Sequence, residues 1–421
     1  MMESSFAMLI SLRDFFNQHI IFTLGILLFT GYFLGKISQK IKLPSITGYI
    51  IAGLLLSDSV TGIVRPEIGT SLTSITEIAL GLIALTIGGE FTLNKIRRIG
   101  NQVVAITIFE SVFAFIFITV GLTVAGINFK FALLLGSIGV ATAPAATTII
   151  VRELRARGKF IDYLYGVVAL DDAVSVILFS IVFSFVSSSS AALGGGLAET
   201  GIWHNVTGIM VELTLSALLG FAAGYILHIL TITKFIKSEI LLISLAMVFI
   251  ITSMAVVLHL SLIITNIVMG GVLINLSPRN RRIFTIMEPL TTPVFALFFI
   301  IAGTKLHISV FSQGIVMLWG AVYIISRFMG KASGVYIASV LTKAPDAVRK
   351  YLSFCLFPQA GVAIGLVLLV QGSAAIAESP VYINNIHILD VLVNIVLLNV
   401  LINELIGPAV TKYGIKHGAD L

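Results

Sequence analysis

Asp171 and Asp172 stand side by side in GVVALDDAVSVILFSIV, residues 166–182, where nothing else is charged. An ionised carboxylate deep in a bilayer costs at least ~2.5–3.5 kcal/mol, so acids at that depth mark function. Successive helical residues point about 100° apart. The two carboxylates therefore cannot share one partner geometry. The pattern predicts one acid against a countercharge and its neighbour towards a cavity. Lys331, in ISRFMGKASGVY, is the expected countercharge, because it falls mid-way along another apolar run. Arg327 lies one turn away and could pair too, but reads rather as an interfacial residue whose long stem carries its charge to water. Glu77 and Glu110 read as packing or entrance residues, Asp390 as a surface acid, and His228 and His259 as interfacial. Asn394, Asn399 and Asn403 read as interhelical hydrogen-bonding residues.

The elements that carry these residues are membrane helices. The 421 residues are 57% hydrophobic and 11% charged, against roughly 25% charged in a soluble domain. The fold class expected is an all-α polytopic membrane protein with thirteen spans, near 19–36, 45–57, 71–90, 101–126, 130–152, 161–187, 206–231, 238–258, 261–276, 285–305, 313–342, 350–371 and 385–410. Of the 26 Lys and Arg, twenty fall on one alternating set of loops and four on the other with the N-terminus; only Arg327 and Lys331 lie inside a span. The positive-inside rule then puts the N-terminus outside and the C-terminus in the cytoplasm. The first run lacks a basic flank and reads as a retained span, with residues 6–16 at the interface. Residues 187–205 read as a flexible loop. A lone Cys355 excludes a disulfide framework or a cysteine metal cluster. The basic residues form no single patch for nucleic acid.

The chain also repeats itself. LIALTIGGEFTL (82–93) pairs with LFFIIAGTKLHI (297–308), Pro144 with Pro358, and LDDAVSVILFSIV (170–182) with LDVLVNIVLLNVL (389–401), at offsets between 214 and 219 residues. That offset equals seven spans, an odd number, so the copies are expected to lie inverted. Inverted repeats recur in secondary transporters, with the substrate site at the repeat interface. Proline removes a backbone donor and clashes with the preceding turn. The fifth and twelfth spans are therefore expected to break mid-membrane around Ala143, Pro144, Pro358 and Gln359. Their freed carbonyls could then ligate a cation.

These stretches, with LPSITGYIIAGLLL, EIALGLIALTIGGEFTL, VATAPAATTIIVRELRARG, FALFFIIAGTKL, RFMGKASG and FPQAGVAIGLVLLV, resemble the monovalent cation/proton antiporter superfamily, in its bacterial sodium/proton exchanger branch with two aspartates. The resemblance spans nearly the whole chain. It implies a homodimer in the plasma or inner membrane, with scaffold helices at about 19–90 and 238–305. It further implies a linker helix at about 206–231 and an ion-binding core at about 101–187 and 313–410, in which the two broken helices cross. It assigns Asp172 to bind cation and proton in turn, Asp171 to pair with Lys331 and help bind the ion, and Thr142 to the unwound part of the fifth span. Asp172 and Asp171 would be the metal ligands, with Na+ and H+ as cargo and no cofactor. Two-acid members generally exchange more protons than cations. This chain departs from some relatives in having a neutral Gln359 after the proline, which leaves open where a second basic site residue would come from.

The activity expected is electrogenic exchange of sodium or lithium for protons by alternating access. A potassium/proton antiporter is the nearest alternative, followed by a sodium-coupled organic anion symporter or a cation channel. An enzyme is not expected: the acids are adjacent on one helix rather than converging, and neither HExxH nor GxSxG occurs.

Overall fold

The computed structural model describes residues 19–41, 45–58, 60–64, 69–90, 92, 100–191, 202–233, 236–306, 314–359, 361–372, 382–383 and 386–420. The interfacial stretch at 6–16 lies outside these. In chain order the helices are α1 (Ile20–Lys40), α2 (Ser45–Leu56), α3 (Gly69–Glu90), α4 (Asn101–Val124), α5 (Phe129–Gly139), α6 (Pro144–Leu154), α7 (Lys159–Ala191) and α8 (Ile202–Ile232). They continue as α9 (Lys237–Val257), α10 (Leu262–Leu276), α11 (Arg281–Thr304), α12 (Gly314–Leu341), α13 (Asp346–Cys355), α14 (Gly361–Gly372) and α15 (Ile388–Gly418). Among the described residues, eight helices are long and apolar enough to cross a membrane. Apolar side chains such as Ile21, Val124, Leu242 and Val257 face outwards, each at least 70% exposed. A water-soluble surface would not tolerate so many; lipid solvates them.

Three details correct the sequence reading. The loop expected from residue 187 is helical at both described ends, since α7 runs to Ala191 and α8 starts at Ile202. The last helix extends to Gly418, past the expected end near 410, with Pro408 inside it. A two-residue antiparallel pair, β1 (Tyr382–Ile383) with β2 (Ile386–His387), precedes α15 in a chain expected to be all helix.

The fifth and twelfth runs each comprise two helices. Residues 140–143 leave the helical path between α5 and α6, and residues 356–359 do so after α13. Pro144 is the first residue of α6, where its missing N–H costs nothing because that donor has no intrahelical partner. The Ala143 N–H donates to the Pro358 carbonyl at 2.9 Å, so the two interruptions meet backbone to backbone.

Around them, α4 packs most extensively on α12, and α13 on α15. Elsewhere α1, α2 and α11 pack together, and α10 lies between α3 and α8. The α4–α12 approach depends on glycine. A Cβ at Gly330 would collide with the backbone of Phe113 and Ala114, and one at Gly334 with that of Phe109 and Glu110. Small residues four apart let two membrane helices come within backbone contact. Lys331 lies between these glycines, so the same spacing brings it against α4.

Candidate functional site: a buried ion cluster at the crossing

Lys331 Nζ lies 2.7 Å from Glu110 Oε2 and 3.1 Å from Asp171 Oδ2. Lys331 is 1% exposed, and both carboxylates are fully buried. Ser111 Oγ donates within 3.3 Å of both Asp171 Oδ1 and Glu110 Oε1. Helices α4, α7 and α12 thus each contribute a charge to one dry cluster. Buried ions persist only when paired and hydrogen-bonded, and this ammonium has two acids to hold it.

Asp172, one residue on, is buried but 8% exposed, where Asp171 is 0%. Val176 lies one turn further along the same face of α7. It lines a narrow apolar crevice of about 20 Å³ with Leu80 and Ile83 of α3, Ile263 of α10 and Leu366 of α14. The face of α7 that carries Asp172 therefore turns towards the seam between α3–α10 and the crossing helices.

Arg327 is 2% exposed, which corrects its reading as an interfacial residue. Its Nε donates to Gly139 O at 2.8 Å and its Nη2 to Ala141 O at 2.8 Å. Its Nη1 donates to Phe357 O at 2.6 Å, and Nη2 also reaches Leu356 O at 3.4 Å. These are the carbonyls released where α5 and α13 end. Each helix C-terminus carries roughly half a negative charge, and one planar guanidinium neutralises two of them. The carbonyls that the sequence suggested for a cation are thus already occupied by Arg327. Arg327 is thus a buried basic residue at the crossing in addition to Lys331.

Gln359 braces the same crossing. Its Nε2 donates to Ile138 O at 3.0 Å and to Tyr323 Oη at 3.3 Å, and its Oε1 accepts from Asn399 Nδ2 on α15. Asn399 is therefore an interhelical residue, and Asn394 Nδ2 donates to Asp390 O one turn back in α15. Thr142 lies in the unwound 140–143 segment; its hydroxyl donates to Leu356 O at 3.5 Å and also interacts with the Asp171 carboxylate. Asp390 is half-buried near Lys305, beyond the end of α11. His228 pairs with Asn280 at the end of α10. No group of three metal-ligating side chains occurs among the described residues.

Two buried charges, Glu110 of the cluster and Arg327 of the crossing, have roles other than those expected from the sequence. Glu110 lies nine residues into α4, at ~1.5 Å per residue close to the depth of Asp171. An acid at that depth marks function at Glu110 as much as at Asp171. For Arg327, the signal was the expected break itself, since freed carbonyls in a membrane require a buried donor.

A helical bundle with two broken, touching helices beside buried acids has the build of an ion-coupled membrane transporter. Residues 24–412 match the sodium/hydrogen exchanger transmembrane family, and the chain belongs to that family. The high-affinity Na+/H+ antiporter NhaS3 of Synechocystis is 22% identical over 339 residues, covering 70% of each chain. A probable Na+/H+ antiporter of Bacillus cereus, GerT, is 26% identical over 168 residues, 40% of this chain and 44% of that one. Among solved structures, the sodium proton antiporter MjNhaP1 of Methanocaldococcus jannaschii superposes with a TM-score of 0.74 over 94% of this chain and 98% of its own, at 16% identity. These relatives are transporters and not enzymes.

Proposed function

We propose that the chain exchanges sodium for protons across the cell membrane, with Asp172 binding either cargo in turn. The observation that carries this reading is the placement of Asp172 beside the ion-paired Asp171–Lys331–Glu110 cluster, on the face of α7 turned towards the α3–α10 seam. Sodium is a hard cation and suits carboxylate and hydroxyl oxygen. Asp172, Asp171 and the Thr142 hydroxyl supply such atoms at the crossing. A proton on Asp172 removes the charge that holds sodium, so the two cargoes compete for one group.

Alternating access then requires the crossing to move against α1–α3 and α9–α11. The seam it would slide along is apolar, lined by Leu80, Ile83, Val176 and Ile263, which offers no polar contacts to break. Arg327 ties α5, α12 and α13 into one unit that would carry the cluster as a body. When sodium engages Asp171, Glu110 keeps Lys331 paired, so the ammonium is never left as a lone buried charge. The inverted repeat, thirteen crossings with the N-terminus outside, a homodimer and a proton excess belong to the same reading.

The test is exchange by the purified protein in liposomes against sodium, lithium and potassium, with and without an imposed voltage. Sodium- and lithium-driven proton movement that responds to voltage is expected. Movement driven only by potassium would replace this reading with a potassium exchanger, and current without proton movement would replace it with a channel.

A further inference from the structure

Away from the crossing, an open groove of about 410 Å³ runs between α12, α13 and α15, walled by Phe328, Phe354, Phe357, Val410 and Tyr413. The rings form a continuous wall. Phe328 lies 5.7 Å from Phe354 and 5.9 Å from Phe357, and Phe354 lies 5.5 Å from Tyr413, centroid to centroid. At one end the His417 ring lies tilted against Tyr413 at 4.3 Å and against Tyr351 at 5.7 Å, centroid to centroid. The wall thus passes from phenyl rings to phenols to an exposed imidazole. Tyrosine and histidine combine an apolar body with a polar tip, which suits a membrane interface.

The same end is basic. Residues four apart share a helix face, so Lys350 lies one turn above Phe354. Lys416, three residues past Tyr413, lies one turn above it on α15. Both lysines are exposed, and neither forms an ion pair among the described residues. The neighbouring charges are already matched: Arg349 pairs with Asp346 at 2.6 Å, and Lys412 with Glu153 at 3.0 Å. Two uncompensated ammonium groups therefore cap an apolar, aromatic channel on a lipid-facing surface. An apolar chain below a negative head group matches that arrangement.

We propose that this groove binds one anionic phospholipid, its acyl chain along the aromatic wall and its phosphate at Lys350 and Lys416. The lipid would touch the crossing directly. Phe357 forms part of the wall, its carbonyl accepts from Arg327 at 2.6 Å, and the next residue, Pro358, accepts from Ala143 at 2.9 Å. Occupancy is therefore expected to stiffen the end of α13 against Arg327.

Binding can be read without transport, so its failure is separable from failure of the exchange reading. The full chain in detergent is titrated with dioleoylphosphatidylglycerol, with dioleoylphosphatidylcholine and with inorganic phosphate, and its thermal unfolding is followed. Phosphatidylglycerol is expected to raise the midpoint well above the other two. Each lysine is worth about fivefold near an anionic lipid, so Lys350→Gln with Lys416→Gln is expected to weaken the phosphatidylglycerol response about 25-fold. Val410→Trp, which fills the groove and keeps both lysines, is expected to weaken it as well. Equal stabilisation by phosphatidylcholine, the same shift from phosphate alone, or an undiminished response in either variant would overturn the proposal.

Discussion

Glu110 holds Lys331 at 2.7 Å, closer than the 3.1 Å that separates Lys331 from Asp171. The lysine is therefore anchored to α4 as firmly as to α7. An anchor independent of the ion-binding helix lets Asp171 change partners while the ammonium stays neutralised.

Removing that anchor is expected to destabilise the protein. Truncating one member of a buried ion pair typically costs ~3–5 kcal/mol, because the other charge stays buried. Here Asp171 remains, so Glu110→Ala is expected at the lower end, roughly 3 kcal/mol, and Lys331→Ala above it. Thermal unfolding in detergent measures both. Equal, small shifts for the two variants would mean that Lys331 does not bridge the acids.

The α4–α12 approach can be tested from the glycine side. Gly334→Leu places a branched side chain against the Glu110 backbone, which must force α12 outwards and lengthen the Lys331–Glu110 contact. Overpacking of this kind costs about 1–3 kcal/mol, and exchange is expected to fall with stability. Gly314→Leu, at a position with open space around it, is the matched control and is expected to be silent. A silent Gly334→Leu would contradict the close packing.

Arg327→Lys is expected to behave as a loss rather than a conservative change. A lysine has no planar fork, and one ammonium cannot reach the carbonyls of Gly139, Ala141 and Phe357 together. Charge-assisted hydrogen bonds contribute about 1.5–3 kcal/mol each, so losing two is expected to cost roughly 3 kcal/mol or more. The check is unfolding alongside exchange at a temperature where the variant stays folded. Wild-type stability in Arg327→Lys would show that the carbonyls need only a nearby charge.

Much of this arrangement was legible in the chain. Asp171, Asp172 and Lys331 stood out because charges are rare in apolar runs, and the rule that membranes penalise charge needs no fold to apply. The two interruptions were legible because proline and small neighbours weaken a helix locally. What pairs with what was not legible. Glu110 and Lys331 are 221 residues apart, and their meeting depends on Gly330 and Gly334 setting a helix crossing, which is a three-dimensional fact. Arg327 was misread because the argument for an interfacial arginine considered only its own helix. The carbonyls it satisfies lie on α5 and beyond α13, and the demand for a donor arises only once both helices have broken at the same place.

The family itself emerged from order rather than from any one motif. Each of the quoted stretches is an apolar run with a few small or polar residues, but their succession along the chain is specific. The lengths of α7 and α15 were not, because apolar periodicity carries no stop signal. Helix α15 continues through Pro408, and Gly407 beside it sits close to Pro358, a contact outside the helix.

The most direct measurement is proton movement driven by sodium in liposomes containing Asp172→Asn, compared with wild type at the same protein density. Asparagine keeps the shape and an oxygen but carries neither the charge that binds sodium nor the exchangeable proton. Exchange is expected to vanish in Asp172→Asn while the protein remains folded and its Lys331–Glu110–Asp171 cluster is retained. Sodium-driven proton movement persisting near the wild-type rate would contradict the assignment of Asp172 as the group for which the two cargoes compete.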